Sequence, residues 1–158
     1  MATREFRLSV AVPVGAREAI DHQVDMPRHL GLHPYLTDVR LNARGIEDGH
    51  EWAEYLVLEH PRLLGLRYPI RFPVRVVRLS PSSYVAHVSA APACTMRIEA
   101  EAVDDPETEG GSILSEQVTV TAPWPVIGYM SRQAEHAHAE TYALLPEIFA
   151  QDDPRPSP

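Results

Sequence analysis

The chain has no lysine, a single cysteine and no apolar run approaching a membrane span. All 14 basic residues are arginine, a compositional bias that points to no particular chemistry. Cys94, being alone, cannot close an internal disulfide, which favours a reducing compartment. A spanning helix needs roughly 20 apolar residues in succession. The nearest thing to a secretory core, Val10–Val14, is short, is broken by Pro13 and belongs to an alternating strand. Acid exceeds base to give a formal charge of −8, so a nucleic acid or an anionic membrane would find little positive surface. There is also no glycine-rich phosphate loop and no Gly-x-Ser-x-Gly elbow. These absences leave a soluble, cytoplasmic, globular protein as the expectation. At 158 residues it makes one domain, residues 1–150, and Gln151–Pro158 reads as a frayed tail.

What is present is strand followed by helix. Glu5–Val12 alternates, with Phe6, Leu8, Val10 and Val12 on one face. Gly15 opens a short helix, Ala16–Val24, and Asp25 is placed to cap a second with Pro27 in its first turn. Gly31 and Pro34 stop it. Six strands are expected next: Leu36–Arg44, Glu51–His60, Leu66–Leu79, Ser83–Ala90, Cys94–Val103 and Ser112–Thr121. The first two are parted by a Gly45–Gly49 turn, the fourth and fifth by Ala91–Pro92, and the last follows the acidic loop Asp104–Gly111. Pro69 and Pro73 either bend the third of these strands or turn its first half into a loop. From Pro125 to Phe149 apolar residues recur at helical spacing (Ile127, Met130, Ala134, Ala137, Thr141, Leu145, Ile148), and Pro146 should kink or end the helix near Tyr142–Leu145. Its small central residues, under a curved sheet, leave an unfilled interior.

Strand, two short helices, six strands and a long final helix is the element order of the helix-grip fold. Val12-Pro-Val-Gly-Ala-Arg-Glu-Ala-Ile-Asp resembles that fold's turn into its first helix, and His33-Pro-Tyr-Leu-Thr-Asp-Val its exit from the second. Up to about Ala150 the chain thus resembles the START-like (SRPBCC) superfamily, which includes birch-pollen-allergen-like proteins and the polyketide cyclase/dehydrase group. The resemblance implies an α+β architecture: a seven-stranded curved antiparallel sheet, ordered 2-3-4-5-6-7-1, wrapped around the long helix and an apolar cavity. It implies ligands such as lipids, polyketides or aromatic metabolites, and no particular activity. The Rieske cysteine–histidine cluster of the oxygenase branch is missing.

Polar residues on apolar faces are the candidates for chemistry. Glu54 shares a face with Trp52, Leu56 and Leu58; Glu116 with Leu114, Val118 and Val120; His138 lies in line with Ala134 and Leu145. If catalytic, Glu54, Glu116 and His138 form the acid/base set; locally paired side chains or a one-residue slip are the alternatives. Trp52, Tyr68, Phe72, Met96, Met130, Ala134 and Thr141 are assigned to the ligand. The entrance is placed at Arg28–Tyr35, Pro61–Tyr68 and Trp124–Met130, with His29, His33, Leu64, Trp124 and Ile127 around it, and these segments should be more mobile than the strands. Arg67, Arg71 and Arg75 share an outer face and should pair with Glu99 and Glu101. His136-x-His138 fails as a metal pair because the two face opposite sides of a helix, and His29-x3-His33 is interrupted by Gly31, so no metal and no cofactor is expected. Three functions stay open: a carrier of an apolar small molecule, a polyketide cyclase or aromatase-type enzyme, and an interaction module. The expected partner is a small molecule, with no nucleic acid and no membrane span, in a monomer or weak homodimer.

Overall fold

Alternation from Glu5 onward shapes β1 (Ala2–Val12), which turns Phe6 and Val12 inward and sets Glu5 and Arg7 on the other face. The computed structural model describes residues 1–63, 65–90 and 93–152, Leu63 through its backbone alone. Leu64 of the expected entrance, the Ala91–Pro92 separator and residues 153–158 of the expected tail lie outside the described residues. After β1 come α1 (Ala16–Val24), a 3-10 turn (Met26–His29), β2 (Leu36–Glu47), β3 (His50–Glu59), β4 (Arg62–Leu63), β5 (Leu66–Arg67), β6 (Ile70–Ser80), β7 (Ser83–Ala90), β8 (Cys94–Asp104), β9 (Ser112–Ala122) and α2 (Ile127–Gln151). Seven strands form one antiparallel sheet ordered β1-β9-β8-β7-β6-β3-β2, and β4 with β5 makes a small separate ribbon. This is the expected α+β helix-grip arrangement. α2 leans on β1 and β9, while α1 covers β8 and β9.

Several local expectations are corrected. The turn after β2 is only two residues, Asp48 (φ 51°) and Gly49 (φ 79°), the left-handed pair that a tight hairpin demands. Gly45 lies inside β2, where the Trp52 ring stands 3.1 Å from any Cβ it could carry. Asp25 makes no side-chain cap; it meets Arg28 at 3.0 Å instead. The strand expected over Leu66–Leu79 is divided at Tyr68–Pro69, and Pro73 falls where β6 pairs with β3 but not yet with β7, whose pairing starts at Val74. A missing donor is tolerated on such a half-open edge. Pro146 does not end α2. The helix runs on to Gln151 because Leu145 and Phe149, either side of the proline, are buried in the core and hold the last turns down. No helix among the described residues is long and apolar enough to cross a membrane.

Candidate functional site

The inward residues of β6 to β9 and the small side chains of α2 do not meet, and a cavity of about 280 Å³ lies between them. Such a volume sits at the lower end of the roughly 300–1,000 Å³ typical of small-molecule sites. Phe72, Val74, Val76, Ala86, Val88 and Ile98 form its sheet wall; Met130, Ala134, Ala137 and Thr141 its helix wall. Of the residues assigned to the ligand, Tyr68, Phe72, Met96, Met130, Ala134 and Thr141 all border this space, with Cys94 beside them. The Thr141 hydroxyl is turned onto its own helix, donating to the Ala137 carbonyl at 2.9 Å.

Trp52 and Glu54 are not there. β3 points Tyr55, Val57 and Glu59 inward, because its register sets Tyr55 opposite Val74 and Val57 opposite Phe72, both inward residues of β6. Trp52 and Glu54 therefore fall on the outer face, Trp52 under the Arg75 guanidinium (4.3 Å) and Glu54 accepting from Asn42 at 2.7 Å. The outer pairs differ from expectation as well: Arg75 bonds Glu47, and Glu99 is taken by Arg97 on its own strand at 2.8 Å. Both edge faces of β3 carry apolar residues, so alternation alone could not choose between them.

Glu59 occupies the place expected of Glu54. Burial pushes its carboxyl up to about 7, against the pull of His138. Deeper in, β9 delivers Glu116 and α2 delivers His138, with Glu116 Oε1 and His138 Nδ1 2.6 Å apart. The carboxylate accepts from Nδ1–H, leaving Nε2 as the basic nitrogen of the neutral ring. Burial lowers the affinity of His138 for a proton, but attraction and hydrogen bonding to Glu116, helped by Glu59, outweigh it and the pKa is raised. His33 stands near both Glu59 and His138, with Nε2 3.6 Å from Glu59 and its ring centroid 6.1 Å from that of His138. Burial and then the charge of His138 hold His33 down to about 3. His29, half-buried beside His22, is held at about 4 by desolvation and then by the His22 charge, and one ring nitrogen lies 3.0 Å from the Gln23 carbonyl. Tyr84 and Tyr142 border the same group; burial and the Glu116 charge keep both phenols protonated, and the Tyr142 hydroxyl has no hydrogen-bond partner among the described residues.

His29 and His33 thus form part of the wall. Trp124, 78% exposed, stands outside it, and Ile127 is packed into the core without bordering the cavity. Tyr68 both borders the cavity and is 45% exposed, which marks where the space reaches the surface. Nearby, Tyr35 donates to Gln133 Oε1 at 2.7 Å and the Tyr129 hydroxyl to the Arg62 carbonyl, tying the β4–β5 ribbon to α2. Among the described residues no group of three or more His, Cys, Asp or Glu side chains could hold a metal ion.

No family model and no curated protein matches the sequence. Solved structures do. A START superfamily protein from Mycobacterium smegmatis superposes with a TM-score of 0.67 at 13% identity, over 91% of this chain and 98% of its own. The chain has the START-like fold. A Thermus thermophilus protein matches at a TM-score of 0.70 and 9% identity, over 95% of this chain and all of its own. The di-domain ARO/CYC protein StfQ from the steffimycin biosynthetic pathway matches at 0.70 and 12% identity, over 94% of this chain. The match takes in about half, 51%, of StfQ. At such identities the likeness concerns the backbone, and the site has to be read from its own residues.

Proposed function

We propose that this protein binds or carries an apolar small molecule, a lipid, polyketide or aromatic metabolite, in the cavity between sheet and α2. The supporting observation is a cavity of about 280 Å³ walled by aliphatic side chains yet holding a few polar groups that could orient a guest. The net charge of −8 favours such a guest over a nucleic acid. Native mass spectrometry of the purified protein tests it. One bound guest per chain, retained at low collision energy, is the expected result; a chain that neither carries nor accepts any member of a panel of fatty acids and polycyclic aromatics would refute it.

A second reading, an enzyme of the polyketide cyclase or aromatase type, is favoured by the Glu116–His138 pair. A histidine held in one tautomer by a carboxylate, with its pKa raised, is suited to take a proton from an acidic carbon between two carbonyls. Glu59, ionising near 7, would give a proton to the acceptor carbonyl oxygen as the enolate carbon attacks it, forming the aldol adduct. Loss of water from that adduct would need both groups in turn. Turnover of a poly-β-keto substrate is the measurement. His138→Ala should abolish it and Glu54→Ala should leave it unchanged; equal turnover in His138→Ala and the parent would remove the enzyme reading and leave the carrier.

A further inference from the structure

Beside the main cavity lies a second pocket of about 240 Å³, of opposite character. It is bordered by Tyr35, His60, Arg62, Arg67, His136 and Glu140. Tyr35 borders both spaces, so the two adjoin at that residue. The β4–β5 ribbon sets Arg62 directly across from Arg67, and the Tyr129 bond to the Arg62 carbonyl holds this ribbon against α2. Five arginines elsewhere, Arg28, Arg40, Arg75, Arg78 and Arg97, each meet a carboxylate. Arg62 and Arg67 meet none among the described residues. The one carboxylate in the pocket, Glu140, is already engaged by His136 at 3.0 Å. Two guanidinium groups against one carboxylate around a concave space, on a chain of net charge −8, give a local excess of positive charge. Arginine forks match carboxylate and phosphate oxygens in particular.

We infer that this second pocket receives the anionic end, a carboxylate or a phosphate, of an elongated ligand whose apolar body fills the main cavity. The inference rests on the cavity-binding reading and narrows it to amphipathic anions. Tyr35, at the junction, would lie beside the point where the ligand passes from apolar wall to charged rim.

Calorimetric titration with dodecanoate, dodecyl phosphate, dodecanol and inorganic phosphate tests it on the full chain. Dodecanoate and dodecyl phosphate should bind at least about tenfold more tightly than dodecanol. Arg62→Gln with Arg67→Gln should remove that advantage while leaving dodecanol binding unchanged. Both arginines are exposed, so the double variant should fold, and salt gives an independent readout on the parent protein. At about 1 M salt, where the screening length is about 3 Å, the advantage of the anions should shrink while dodecanol holds or gains. Equal affinity for dodecanoate and dodecanol at low salt overturns the inference and spares the cavity reading. Tight inorganic phosphate with no gain from a charged chain end overturns it in favour of a free-anion site. Failure of all three alkyl ligands to bind overturns both.

Discussion

Burial lifts Glu59 to about 7, so this side chain changes charge inside the protein over the physiological range. Its folded pKa lies above the ordinary carboxylate value, so the fold favours the protonated form. That contribution is complete below about 4.5 and is lost as pH rises through 7. Glu59→Gln should therefore melt at the same temperature as the parent near pH 4.5 and at a higher one at pH 8, by an amount equivalent to at most about 3 kcal/mol. A scan of Tm against pH reads this directly. His29 and His33 act in the opposite sense: both are held below their ordinary value, so stability is present above 6.5 and falls as pH drops toward 4 and 3. Truncating His138 to alanine leaves Glu116, 4% exposed, without its partner. Removing one member of a buried pair typically costs about 3–5 kcal/mol. The loss should be large at pH 7, as urea unfolding would record.

Within α2, Pro146 removes a backbone donor in a helix that continues for another turn. Pro146→Ala should stabilise the protein by about 1–3 kcal/mol, since the neighbouring turns are already helical and held by Leu145 and Phe149. Hydrogen exchange should show residues 28–35, 61–63 and 65–68 opening faster than β7 and β8, with the difference shrinking when a guest is bound; equal protection without a guest would mean there is no gate. How far such elements could be read in advance depended on whether one face of each was plainly apolar. β1 and β9 alternate cleanly, so Phe6, Leu114 and Glu116 were placed on the right side, and helical spacing put His138 inward. β3 is apolar on both faces, with Trp52 and Leu56 on one and Tyr55 and Val57 on the other. Only pairing with β6 decides between them, and that is a long-range fact no local pattern contains. Glu59 was missed for this reason. Tyr84 and Tyr142 carry no local mark either, since nothing in the sequence shows that both lie against Glu116. Pro146 misled in the other direction, since propensity carries no knowledge of the core beneath a helix.

For the molecule as a whole, the cavity is a stability deficit that a guest or a larger side chain can offset. Ala134→Leu should fill part of it, leaving the empty protein at least as stable while weakening guest binding about tenfold or more. Added guest should raise the Tm of the parent in proportion to the logarithm of its concentration and have little effect on the variant. The sheet order has another consequence, for how the molecule comes into being. β1 has a single neighbour, β9, and their register joins Ala2 to Ala122 and Val12 to Ser112. On the ribosome, β2 to β8 can pair successively with strands already made or just emerging, while β1 waits with its apolar face open until residues past 112 have emerged. The seam it then closes is the one α2 rests on, so the sheet's last ladder and its covering helix must arrive together. Folding limited by so distant a pairing is slow, on the order of milliseconds to seconds, and a ribosome-bound chain halted before β9 would present β1 as sticky, unpaired surface.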